Sequence, residues 1–67
     1  MAERGLGERL LVERTRLVLT QEELAVELGI PYRSLQDYET GKATPRAPRR
    51  RAILAWLEEH ERTAAAA

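Results

Sequence analysis

Sixty-seven residues make one small domain at most, and a chain of that size hides only about 60% of its unfolded surface, so its core must be thin. It has no cysteine, which excludes disulfides and thiolate metal sites. No apolar run approaches the ~20 residues of a membrane span. The opening "MAERGLGERL" has no apolar signal segment, so a cytoplasmic location is expected. Net charge is zero, but it is segregated. Residues 1–28 hold four Arg against six Glu, residues 29–56 six basic against two acidic groups, and residues 57–67 one Arg against three Glu. The middle third is therefore basic between two acidic flanks, which suits an anionic partner better than an evenly mixed surface would.

The chain reads as helix throughout, with no period-two alternation and no repeat. The first helix is predicted over Leu6 to Arg16, with Leu6, Leu10, Leu11 and Leu17 on one face. Arg9 and Glu13 stand four apart and are expected to pair on its outside. The second helix opens at "LTQEEL". Thr20 is the N-cap, Glu23 closes a capping box, and Leu19 and Leu24 supply the hydrophobic staple. Leu24, Ala25 and Leu28 continue its buried face, and Gly29 ends it. Two turns of helix do not hold alone in water, so this one must lean on its neighbours.

The third helix starts at Pro31, whose fixed φ suits a first turn, and ends before Gly41. Two short helices joined through "Gly-Ile-Pro" form a helix-turn-helix arrangement. At about 100° per residue the third helix divides itself. Tyr32, Arg33, Gln36, Asp37 and Thr40 share one arc, and Leu35 and Tyr38 the opposite one. A solvated surface would favour Glu and Lys on the polar arc. Arg and Gln point instead to base reading, since their forks match the major-groove edges of guanine and adenine respectively.

The fourth helix is predicted from Pro48 to about Arg62, with Ala52, Ile53, Trp56 and Leu57 facing inward and the alanine tail 63–67 expected to fray. Arg49, Arg50 and Arg51 fill its first turn, and Glu58, Glu59 and Glu61 its predicted last turns. Each charge so placed opposes the helix dipole at a cost of about 0.3–1 kcal/mol. Phosphate binding would account for the arginines, and Lys42 and Arg46 extend the same basic edge.

The run "LTQEELAVELGIPYRSLQDYETGKATP" resembles the Cro/C1-type (Xre-type) helix-turn-helix domain, over about Leu10 to Leu57. The resemblance implies an all-α, compact four-helix bundle, reduced from the usual five, with the third helix in the major groove of double-stranded DNA. It makes Tyr32, Arg33, Gln36 and Asp37 the base-reading positions. It puts Gln21 on a phosphate, together with Lys42 and Arg46 after the Gly-Lys turn. Thr40, Arg49 and Arg50 complete the expected phosphate set. It also implies a structural ion pair between Arg14 and Glu39. Pro31 departs from the family's usual polar cap. The fourth helix looks closer to a compact antitoxin-like subgroup that represses its own operon.

A transcriptional repressor acting as a homodimer on a two-fold symmetric site is the leading expectation, with residues 1–62 as its single domain. The alternative is a protein-interaction module, either an antitoxin that binds a toxin or a factor acting on the transcription machinery. An enzyme is not expected. His60 lies among carboxylates with no second His or Cys at ligand spacing, Ser34 has no evident base, and there is no glycine-rich phosphate loop. No cofactor, metal or small-molecule substrate is anticipated.

Overall fold

The computed structural model describes residues 5–66, of which 65 and 66 are described in backbone alone. Four helices follow one another: α1 (Leu6–Arg16), α2 (Gln21–Leu28), α3 (Tyr32–Thr40) and α4 (Ala47–Ala66). No strand occurs among the described residues. α3 rests on α1 and α2, and α4 packs across the same two helices. Each helix contributes to one core: Leu10 from α1, Leu24 and Ala25 from α2, Leu35 and Tyr38 from α3, and Ile53, Trp56 and Leu57 from α4, with Ile30 from the turn. Leu6, Leu17, Leu19 and Leu28 seal its edges.

The local signals account for the helix ends. Thr20 Oγ1 accepts from Glu23 N–H while the Glu23 carboxylate accepts from Thr20 N–H, so the capping box is complete. The first three helices all stop by the same device, in which a left-handed residue lets two amides fold back onto carbonyls of the last turn. At α2 the residue is Gly29 (φ 70°), with Ile30 N–H donating to Ala25 O. At α3 it is Gly41 (φ 81°), with Lys42 N–H donating to Asp37 O. At α1 it is Val18 (φ 57°), with Leu19 N–H donating to Arg14 O and Val18 N–H to Thr15 O. A β-branched residue in that region is strained, and Val18 is 87% exposed, so no packing compensates it.

Glycine has a second use at position 7. A Cβ there would lie 1.9 Å from the Tyr38 carbonyl oxygen, so the absence of a side chain lets α1 and α3 approach closely.

Several expectations need correction. Arg9 does not pair with Glu13. It reaches across to α4, donating to both carboxylate oxygens of Glu61 at 2.7 and 3.0 Å. Glu13 is buried and accepts instead from Arg16. Leu11 and Ala52 are exposed rather than part of the buried faces. α4 begins at Ala47 and continues to Ala66, beyond the predicted end near Arg62, through alanines that form helix readily. Glu58, Glu59 and Glu61 therefore stand before its last turn, where the dipole penalty is small, and Glu61 has its partner in Arg9.

Candidate nucleic-acid interface

α3 projects as a ridge. Its buried side is set by Leu35 and Tyr38, while Tyr32, Arg33 and Thr40 are exposed and Gln36 and Asp37 half-buried. Pro31 precedes it with extended backbone (ψ 142°) and makes no side-chain cap, yet its carbonyl accepts from Leu35 N–H and closes the first turn.

Beneath the ridge lies the Arg14–Glu39 pair. The Arg14 guanidinium donates twice to the Glu39 carboxylate, Nε to Oε2 at 2.8 Å and Nη2 to Oε1 at 3.0 Å, and its Nη1 donates to Leu19 O. The Glu39 side chain is only 3% exposed. Gln21 Nε2 donates to the same carboxylate at 2.9 Å. The network thus ties α1, the start of α2 and the end of α3 together, with three donors converging on one carboxylate. Gln21 keeps one further N–H for an outside acceptor.

A hollow flanks the ridge on each side. On the α2 side Thr20, Gln21, Glu22 and Tyr32 line one, with Arg14 at its floor. On the other side Ser34, Asp37 and Tyr38 face Ala43, Thr44, Arg46, Pro48 and Arg49. The loop between α3 and α4 is pinned by buried Pro45.

The base-reading candidates are not equivalent. Gln36 Nε2 donates to Tyr32 Oη at 3.0 Å, one turn back along the ridge. Arg33 is exposed, and among the described residues its guanidinium has no hydrogen-bond or ion-pair partner. In particular it makes no ion pair with Asp37, a residue that lines the hollow together with Arg46 and Arg49.

The phosphate candidates also divide. Thr40 Oγ1 donates to Gln36 O at 2.9 Å, a bond within its own helix that the hydroxyl would give up on turning to a phosphate oxygen. Arg49 turns back onto α3, with Nη1 3.1 Å from Tyr38 Oη and 3.4 Å from Ser34 Oγ. No sequence signal pointed to that contact, which joins two helices eleven or more residues apart in the chain. Lys42, Arg46, Arg50 and Arg51 are exposed.

Apart from Arg49, which is bonded to α3, and Arg62 in α4, the described basic groups fall into two populations. In α1, Arg9, Arg14 and Arg16 all engage carboxylates. In the middle third, Arg33, Lys42, Arg46, Arg50 and Arg51 have exposed side chains with no carboxylate partner among the described residues. The first group is spent on holding the fold, and the second is free to meet an outside anion.

The acidic flanks are partly structural too. The Glu27 carboxylate accepts from Trp56 Nε1, satisfying the indole of a buried ring. The His60 ring lies 4.3 Å from Trp56, with Nδ1 2.8 Å from Trp56 O. No group of three or more His, Cys, Asp or Glu is placed to hold a metal among the described residues. Nor is any helix there long and apolar enough to cross a membrane.

A family model described as helix-turn-helix matches residues 13–55, from the middle of α1 into α4. No curated protein and no solved structure matches the chain. The matched span covers more than half of the sequence, and it contains the capped second helix, the turn at Gly29, the ridge and the loop of free cations. The chain belongs to the Cro/C1-type helix-turn-helix family of DNA-binding regulators.

Proposed function

We propose that this domain binds double-stranded DNA at a specific sequence and acts as a transcriptional repressor, with α3 in the major groove. The observation that carries the reading is the contrast between paired and free cations. Guanidinium groups left exposed along the ridge and the α3–α4 edge, while those of α1 are neutralised, make an anion-binding surface on one side of a neutral protein. In this arrangement Arg33 and Gln36 read base edges, with Tyr32 beside them. Gln21, Lys42, Arg46 and Arg50 hold the phosphates on the two strands flanking the groove. Arg49 serves chiefly to brace α4 against α3. Asp37, facing the hollow, disfavours a phosphate that approaches too near the helix end.

A homodimer would place two ridges one helical turn apart on the duplex, ~34 Å, and so read a two-fold symmetric site. The test is selection of bound duplexes from a random pool, followed by affinity measured against salt. The reading expects an enriched, two-fold symmetric sequence containing guanine and a log–log salt slope of several units. A flat salt dependence with no enriched sequence would refute it.

A further inference from the structure

Gln36 and Tyr32 are bonded to each other on the exposed ridge, Nε2 to Oη at 3.0 Å. Tyr32 is 44% exposed and Gln36 half-buried, so their polar ends lie on the face proposed to enter the groove. We propose that Tyr32 is a positioning residue for Gln36, and that the two side chains form one unit selecting an A·T pair. This rests on the reading of α3 as the groove helix.

A glutamine amide carries two N–H donors and one carbonyl oxygen. One N–H lies on the same edge as the oxygen and the other on the opposite edge. Adenine offers N6–H and N7, a donor beside an acceptor, which the first edge matches bidentately. The second edge is not needed for the base and is available to Tyr32 Oη. Held there, the amide keeps its oxygen and its remaining N–H pointed as a fixed acceptor–donor pair. Guanine, with N7 and O6 both acceptors, meets the amide oxygen with an acceptor and is rejected.

Without the phenol the terminal torsion of Gln36 is broad and roughly two-fold, so the amide can present its oxygen or its nitrogen in either sense. Tyr32 thus contributes selectivity while its own ring contacts remain available to the duplex. Arg33, with no such brace, reads its base independently. The two readers stand three residues apart, ~4.5 Å along the helix, so adenine and guanine should fall within two base pairs of each other.

The test compares the full chain with Tyr32→Phe and Gln36→Ala, by selection from a random duplex pool and by binding to the winning site and its single-base variants. Tyr32→Phe keeps the ring and removes only the hydroxyl. It should lower the preference for adenine at one position about 3- to 10-fold, the worth of one neutral hydrogen bond. The salt slope and the melting temperature should stay unchanged. Gln36→Ala should erase preference at that same position. If Gln36→Ala erases it and Tyr32→Phe leaves it intact, the positioning role is overturned and groove reading by α3 stands. If Tyr32→Phe alters a different position, Tyr32 reads its own base and the coupled unit is wrong. If Gln36→Ala changes nothing, or no sequence is enriched, reading by this helix face fails and the coupled unit with it.

Discussion

Val18→Gly should stabilise the domain. The residue closes α1 in the left-handed region at φ 57°, where its two counterparts are Gly29 and Gly41. Holding a non-glycine residue there costs of order 1–3 kcal/mol, and the branched Cβ places valine toward the upper part of that range. Glycine removes that strain but is freer in the unfolded chain, which offsets about 0.5–1 kcal/mol. Burial adds little, because Val18 is 87% exposed and loses only a few tenths of a kcal/mol of apolar contact. The net gain is about 1 kcal/mol, which in a domain of this size raises the melting temperature by roughly 4–8 °C. The measurement is thermal unfolding followed by circular dichroism, with Val18→Asn alongside. Asparagine tolerates the left-handed region better than valine and should fall between the two. A glycine variant that melts at or below the parent would refute the strain argument. The two backbone bonds at this turn would then owe nothing to relief at position 18.

Three further outcomes test the site and its support. Glu39→Gln leaves the Arg14 guanidinium under α3 without its counter-charge and should cost about 3 kcal/mol by urea unfolding. Arg33→Ala should weaken binding to the selected site by ~1–3 kcal/mol and relax preference at one base pair, read by competition among single-base variants. Arg50→Ala should weaken all duplexes alike and reduce the salt slope by about one, read by titration at several salt concentrations.

Much of the architecture was legible in local signals. α1 has the predicted bounds, and α3 starts one residue after Pro31 and ends before Gly41 as expected, because hydrophobic spacing and a terminal Gly or loop mark them within a few residues of chain. The Thr20–Glu23 box fixes the start of α2 for the same reason. What could not be read were choices among distant partners. Arg9 had a carboxylate four residues away at Glu13, and the fold gave it Glu61, 52 positions on, because Glu13 faces inward where α1 meets its neighbours. The ridge arc was legible from periodicity, but not how its members engage one another. Gln36 turns to Tyr32, Thr40 spends its proton on its own helix, and Arg49 folds back to Tyr38. Side-chain rotamers decide those contacts, and residue order alone does not encode them. Val18 carried no warning because only a backbone angle distinguishes it from any exposed loop valine.

The layout of α4 has a consequence for how the domain meets a duplex. The helix is 20 residues long, ~30 Å, with its arginines in the first turn and exposed Glu58 and Glu59 beyond its middle. Those groups are separated by ~10–15 Å, more than the ~8 Å over which physiological salt lets exposed charges feel each other. Each end therefore answers to a polyanion on its own account, one drawn in and the other pushed away. The pair of forces is a torque rather than a net pull. A molecule without net charge is turned before it is captured, so collisions that begin with the acidic end pivot instead of sticking. Neutrality here limits indiscriminate adhesion to DNA while leaving orientation, and with it the productive fraction of encounters, under electrostatic control.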